Sequence, residues 1–102
     1  HLNVIASKVF SNMTIEGVAR DGTATVHVYG EGVVTSDEAD VLIATVGSSY
    51  KPVYAVRSLF GVNNGKWGIL TINQDGSIRL NQRYGTGSVT WGIVDVTVSY
   101  VY

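Results

Sequence analysis

Residues 53–84 contain three runs of alternating apolar and polar residues joined by two short turns. The turns are Asn63-Asn64-Gly65 and Gln74-Asp75-Gly76, and asparagine, aspartate and glycine tolerate the positive φ angles that tight hairpins require. Three consecutive strands connected in this way form an antiparallel meander. The apolar face of such a meander has to be covered, so the rest of the chain must supply a second sheet.

The rest of the chain also predicts strands. Residues 13–19 and 23–30 alternate and flank Arg20-Asp21-Gly22, which predicts a hairpin. The β-branched run 89–102 alternates to its last residue, which is typical of a strand in a central or closing position. The acidic segment 36–40 favours one short helical turn. Six to eight strands, no long helix and twelve glycines predict an all-β domain, either a small antiparallel Greek-key barrel or a sandwich.

The composition limits what this domain binds. Its 102 residues correspond to a single domain, residues 1–102. Only 15% of the residues are charged, against about 25% in an ordinary domain, which indicates a neutral surface that a partner covers. The net charge of −1 and the lack of a basic run exclude an electrostatic footprint for nucleic acid. No apolar run approaches the roughly 20 residues that span a membrane, and there is no cysteine.

The sequence offers no combination of residues suited to catalysis, so we predict that the protein is not an enzyme. His27 lies in the middle of a predicted strand and no Gly-x-Ser-x-Gly motif accompanies it, so we interpret it as a half-exposed strand residue. The acidic residues in 36–40 do not match the spacing of a calcium loop, and we interpret them as a solvated loop. We predict no metal and no cofactor. Asp95 interrupts a strand, and we expect it to face solvent or to pair with an arginine.

The outward face of the meander carries the candidate binding residues. If Leu70 and Ile72 point inward, Trp67 and Thr71 point outward, because side chains alternate along a strand. The same reasoning on the next strand gives a predicted saccharide-binding set of Trp67, Thr71, Arg79, Asn81, Arg83 and Tyr84. An aromatic ring covers the C–H face of a sugar, while arginine and asparagine bond to hydroxyl or phosphate groups. A decorated outer face and a subunit contact are the alternatives, and Tyr100 and Tyr102 are further candidates for a contact between subunits.

A set of short motifs in this region resembles a known family. The motifs are Tyr50-Lys51-Pro52, then Ser58-Leu59-Phe60-Gly61, then the alternating isoleucine strand 69–73, then an Asn-x-x-Gly-Ser-Ile sequence at 73–78. They are similar to the C-terminal head domain of receptor-binding proteins at the tail tip of lactococcal siphophages. The specific part of the resemblance covers about a third of the chain.

The resemblance implies a small Greek-key barrel that forms a homotrimeric head, located at the tail tip or baseplate of the virion. It also implies that shoulder and neck regions precede residue 1 and connect the head to other tail proteins. The function would be adhesion to a host cell-wall saccharide containing glycerol phosphate or similar groups, at the outer face of the meander. The alternative is a structural or assembly domain of a virion fibre that binds no glycan.

This chain departs from the family at the site itself. It has Ile69 and Thr71 where a better-known member carries histidine and aspartate, and Asn81 where that member carries tryptophan. The arginine that the family has near the C terminus has no clear equivalent in residues 89–102. We therefore carry over the location of the site and expect a different saccharide, with Trp67 supplying the aromatic surface.

Overall fold

The computed structural model of the protein describes residues 2–4, 11–34, 41–61, 67–82 and 89–102. These residues form eight β-strands and no α-helix. The strands are β1 (Leu2–Val4), β2 (Ser11–Arg20), β3 (Thr23–Val34), β4 (Val41–Val46), β5 (Val56–Gly61), β6 (Trp67–Ile72), β7 (Ser77–Gln82) and β8 (Val89–Val101). The predicted all-β class and the predicted strand number are both confirmed.

The strands form two antiparallel sheets. The larger sheet has the order β1-β4-β7-β6-β5, and the smaller sheet has the order β2-β3-β8. Within the larger sheet, β5, β6 and β7 form the predicted meander, and β4 lies beside β7 rather than beside β5. A meander whose fourth strand returns to its far side is a Greek key. Two separate sheets make the domain a Greek-key sandwich, which is the second of the two predicted architectures.

Two turns hold the hairpins in the register that the sequence predicts. Asp21 (φ 54°) and Gly22 (φ 82°) both lie in the left-handed region, so they form the two-residue turn whose twist suits a hairpin. Gly76 (φ 91°) ends the turn between β6 and β7, where its N–H donates to the carbonyl of Asn73 at 2.9 Å. The turn at residues 63–65 lies outside the described residues.

The hydrophobic core lies between the two sheets. The larger sheet contributes Leu70, Ile72 and Ile78, which are all 0% exposed. The smaller sheet contributes alternate residues of β3 and β8, including Val28 and Val94, which are also fully buried. This alternation is what places the polar residues of both sheets on the two outer faces.

The segment between β4 and β5 fastens the sheets together at one end. It contains a short 3-10 turn at Ser48–Tyr50, and the Tyr50 carbonyl accepts a hydrogen bond of 2.6 Å from the buried hydroxyl of Tyr100 in β8. The Val53 N–H donates to the carbonyl of Val101 at 2.9 Å. On the other side, the Gln74 side chain donates to the Val53 carbonyl at 2.6 Å. The segment therefore connects the smaller sheet to the meander.

One of the two positions expected for the final strand is excluded. Within the described residues β8 pairs with β3 alone, so it is not central; it lies at the edge of its sheet and packs beside β5 of the larger sheet, as a closing strand does. Tyr100 is only 4% exposed because it points into the core, so it is not available for a contact between subunits. The short helical turn expected within residues 36–40 falls in a segment, 35–40, that lies outside the described residues.

Candidate functional site

The outer face of the meander is built from rows of residues that lie side by side on β5, β6 and β7. Antiparallel pairing places Thr71 next to Arg57 on one side and Arg79 on the other. The next row places Ile69 between Leu59 of β5 and Asn81 of β7. We call residues 57, 59, 67, 69, 71, 79 and 81 the meander face. The predicted neighbourhood of Thr71 and Arg79 is therefore confirmed.

The alternation predicted for this face is also confirmed. Leu70, Ile78 and Leu80 are buried in the core, so the residues that alternate with them lie on the outer side of the sheet. Trp67 opens β6 and is 38% exposed. At about 3.3 Å per residue, the four positions from Trp67 to Thr71 separate the ring from the arginine row by about 13 Å.

Thr71 differs from the expectation for a ligand-binding hydroxyl. It lies on the meander face, but it is only 7% exposed. Its neighbours on both adjacent strands are arginines, whose long side chains stand on either side of a much shorter one. Thr71 is therefore a covered part of the face, whereas Arg57 in the same row is exposed and Arg79 is half-buried.

The structure adds two residues that sequence reasoning missed. Arg57 is exposed and stands across from Thr71, and Leu59 is 67% exposed and stands across from Ile69. The signal was present in the sequence: a hairpin closed by the turn at residues 63–65 pairs positions symmetrically about that turn. Counting outward from the turn places residue 57 opposite residue 71.

Three of the predicted site residues are described only in part or not at all. Asn81 belongs to β7, where its backbone is paired with Ile69, and its side chain lies outside the described part of the structure. Arg83 and Tyr84 lie outside the described residues. The described part of the predicted set thus brings Trp67, Thr71 and Arg79 onto one face, with the backbone of Asn81 beside them.

A hydrogen-bonded turn fixes the end of the meander face nearest the arginines. Asp75 Oδ1 accepts hydrogen bonds from the Ser77 hydroxyl at 2.7 Å and from the Ser77 N–H at 2.9 Å. The side-chain bond from Ser77 and then its backbone bond lower the pKa of Asp75, and the positive charges of Arg79 and Lys51 act in the same direction. The turn therefore carries a negative charge close to Arg79.

The outer face of the smaller sheet carries a second group of polar residues. His27 Nε2 and Asp95 Oδ1 are 2.6 Å apart, and the two side chains are 39% and 60% exposed. Asp95 therefore faces solvent, as one of the two expectations had it, and its partner is a histidine and not an arginine. Thr25 and Ser99 share a hydrogen bond of 2.9 Å beside them. Among the described residues, no serine or threonine hydroxyl is bonded to His27.

The described part of the chain contains no group of three or more histidine, cysteine, aspartate or glutamate side chains arranged to hold a metal ion. Within the same residues there is no helix with the length and apolar character needed to cross a lipid bilayer.

Comparisons of the chain with protein-family models, with curated proteins and with solved structures each found no match. By its fold and by the meander face, this protein is a Greek-key β-sandwich whose outer sheet face carries arginine, tryptophan and exposed apolar side chains.

Proposed function

We propose that this domain is the non-enzymatic head of a phage receptor-binding protein, which attaches the virion to a saccharide of the bacterial host cell wall. The observation that carries the proposal is the meander face, where an exposed tryptophan ring and two arginines stand on one side of a rigid sheet. Trp67 lies about 13 Å from the row that contains Arg57 and Arg79. This span accommodates more than one sugar ring.

The chemistry of the face suits a saccharide. The Trp67 ring covers the C–H face of a sugar, and the exposed apolar side chain of Leu59 extends that surface. Guanidinium groups donate several hydrogen bonds in a fixed plane, which suits vicinal hydroxyls or an anionic substituent such as phosphate. A sheet face holds these groups in place without the entropy cost of ordering a loop, which supports binding by a preformed surface.

In this proposal the domain acts as a homotrimer at the tail tip or baseplate of the virion, joined to other tail proteins through regions N-terminal to residue 1. The motif resemblance in residues 50–80 is what supports this placement. A single shallow sugar site binds weakly, whereas several sites on one particle bind the cell wall together and raise the overall affinity. Three heads per trimer and several trimers per virion provide that multiplicity.

The alternative function is a structural or assembly domain of a virion fibre, whose meander face contacts protein. One observation favours it: Leu59 is 67% exposed and Ile69 lies beside it, so the centre of the face is apolar. Exposed apolar residues surrounded by polar ones are typical of protein interfaces. The two functions place different partners on the same surface.

The test compares host binding with self-assembly. Purified protein carrying Trp67→Ala or Arg57→Ala is assayed for binding to host cell walls, for competition with phage adsorption and for mass in solution. Tyr54→Ala is the matched control, because Tyr54 is an exposed aromatic residue (72%) that is not part of the meander face. We expect the two face variants to lose wall binding and to keep the mass of the unmodified protein.

Three results would contradict the proposal. If the unmodified protein neither binds host walls nor competes with phage, the domain is not the adhesive head. If the face variants change the mass in solution, the meander face is a subunit contact and the structural alternative is favoured. If the protein releases soluble products from cell-wall polysaccharide, it is an enzyme.

A further inference from the structure

The second inference concerns β2, which forms one edge of the smaller sheet. β3 pairs with one side of β2, and within the described residues no strand pairs with its other side. The ladder with β3 shifts register between Ser11 and Thr14 and is regular from Thr14 to Arg20. A regular strand edge exposes a row of unpaired N–H and C=O groups, which is a template for pairing with another chain.

The hairpin turn determines which backbone groups of β2 point outward. Arg20 and Thr23 flank the two-residue turn, and a turn of this kind is closed by a hydrogen bond between its flanking residues. Arg20 is therefore hydrogen-bonded to β3, and so is every second residue before it, because hydrogen-bonded and non-hydrogen-bonded pairs alternate along an antiparallel ladder. The residues between them, Ile15, Gly17 and Ala19, have their backbone N–H and C=O groups on the free edge.

An independent hydrogen bond agrees with this assignment. The Tyr102 N–H donates to the Gly22 carbonyl at 2.9 Å, so the backbone groups of Gly22 face β8. By the same alternation, those of the next residue, Thr23, face β2 and bond with Arg20.

The side chains of β2 are complementary to a second copy of themselves. When two β2 strands pair antiparallel about Val18, each Val18 meets the other and each Glu16 stands opposite the Arg20 of the second copy. Val18 is 71% exposed, which is unusual for a valine within a strand. Gly17 and Ala19 of the two copies then exchange backbone hydrogen bonds in both directions. A register centred on Glu16 or on Arg20 instead places like charges opposite each other, which is unfavourable.

We propose that the free edge of β2 pairs with the same edge of a second copy of this chain, in the antiparallel register centred on Val18. The two smaller sheets then become one continuous sheet across a two-fold axis. This interface is isologous, because the same residues meet from both sides. It uses the edge of the smaller sheet and not the meander face, so it goes beyond the proposed receptor binding and does not depend on it. Because a two-fold contact cannot relate chains within one cyclic trimer, in the proposed homotrimer it would join a chain of one trimer to a chain of another.

The neighbours of Glu16 and Arg20 within the chain leave both residues available for this contact. Arg20 lies 3.6 Å from Asp21, and both side chains are about 90% exposed. Exposed pairs of this kind are weak, so Arg20 can exchange this partner for Glu16 of the second copy. Glu16 is itself exposed and stands beside His27 on β3, which leaves its outer side open at the sheet edge.

The first test uses a cysteine placed on the two-fold axis. The chain contains no cysteine, so a single introduced thiol is the only one that can form a disulfide. Residues directly opposite in a non-hydrogen-bonded pair have Cα atoms about 4.5 Å apart, which lies within the range of disulfides. Val18→Cys should therefore cross-link two chains under mild oxidation. Val101→Cys is the matched control, because Val101 is exposed (57%) and belongs to the other edge strand of the same sheet.

The second test reverses the charges. Glu16→Arg or Arg20→Glu alone places two like-charged contacts in each interface and should raise the dissociation constant of self-association at least about tenfold. The double variant Glu16→Arg/Arg20→Glu restores opposite charges at both contacts and should return the constant to within about threefold of the unmodified value. Sedimentation velocity over a dilution series measures these constants, and circular dichroism checks that each variant is folded.

The proposal is overturned if Val18→Cys cross-links no faster than Val101→Cys. It is also overturned if the double charge reversal associates no better than the single reversals. Both measurements are made on the purified protein without cell-wall material. A failure of receptor binding therefore leaves their outcome unchanged, and the two proposals can fail separately.

Discussion

The bond between Tyr100 and Tyr50 gives the most direct test of how the two sheets are held together. Tyr100 lies in β8 of the smaller sheet and is 4% exposed, and its hydroxyl donates to the Tyr50 carbonyl at 2.6 Å. Tyr50 belongs to the segment between β4 and β5 of the larger sheet. Tyr100→Phe removes the hydroxyl and keeps the ring, so it isolates this one link.

The expected cost follows from the burial of the two partners. A hydrogen bond of this kind contributes about 1 kcal/mol net, and leaving an acceptor unpaired in the interior costs about 1–3 kcal/mol. Tyr50 is half-buried, so water replaces part of the lost interaction. We therefore expect Tyr100→Phe to lower the free energy of unfolding by about 1–1.5 kcal/mol at pH 7. For a domain of this size, each kcal/mol corresponds to a fall in Tm of roughly 4–8 °C.

The pH dependence gives the prediction a second, independent part. Burial raises the pKa of Tyr100 above its ordinary value of 10.0, and the neighbouring charge of ionised Tyr102 acts in the same direction. The neutral phenol is therefore favoured in the folded state, and its contribution to stability is complete below the pKa of the unfolded chain. That contribution is lost as the pH rises from about 10 through the folded pKa. The stability advantage of the unmodified protein over Tyr100→Phe should shrink over this range.

Urea denaturation at pH 7 and at a series of alkaline pH values measures both parts. Tyr102→Phe is the control, because the Tyr102 ring packs against the Tyr50 ring with centroids 5.3 Å apart and the substitution keeps that contact. It should change the free energy of unfolding by less than half as much. The reasoning is refuted if Tyr100→Phe is as stable as the unmodified protein at pH 7, or if their difference stays constant above pH 10.

Three further changes test the core and the turn of the meander. Leu70→Ala, at a fully buried position in β6, should lower the free energy of unfolding by about 3–5 kcal/mol, and a thermal melt that moves by only a few degrees would contradict the assigned core. Gly76→Ala should lower the free energy of unfolding by about 1–3 kcal/mol, because φ at this position is +91° and a Cβ there would lie 3.1 Å from Val46 Cγ2. Unchanged stability in urea would argue against this turn conformation. The ionised Asp75 carboxylate stabilises the folded protein through its hydrogen bonds with Ser77. This contribution is complete above the ordinary pKa of 3.8 and is lost as the pH falls through the lowered pKa of folded Asp75. Asp75→Asn should remove it. Acid titration of both proteins by circular dichroism checks this, and parallel acid unfolding curves would be evidence against the Ser77 hydrogen bonds.

The local parts of the fold could be predicted because their causes are local. Alternation along β6 and β7 and the glycines at positions 22 and 76 determine strand faces and turns without reference to distant residues. The edge position of β8 and the pairing of Asp95 with His27 could not be predicted in this way. Both depend on the pairing of β3 with β8, whose partners, such as His27 and Thr97, lie 70 positions apart in the sequence.

The candidate site also has some features that the sequence predicts and others that depend on how the strands pair. The face that carries Trp67 and Arg79 follows from alternation alone, and the structure agrees. Thr71 is buried although it lies on the outer face, where arginines are its partners on both neighbouring strands, and alternation along one strand could not show this burial. The position of Arg57 opposite Thr71 could have been predicted from the sequence, because the register of a hairpin follows from its turn. Whether a saccharide binds this face is a prediction that the host-binding assays test.

The pairing of β3 with β8 also has a consequence for the kinetics of folding. The β2–β3 hairpin and the meander involve neighbouring segments, so each can form within microseconds. Closing a loop of about 70 residues costs entropy before any contact between β3 and β8 repays it, and domains dominated by such distant pairings fold in milliseconds to seconds. During that interval β3 exposes the edge that β8 later occupies. Partly folded chains are therefore most prone to aggregate through β3, and refolding yield should fall as protein concentration rises.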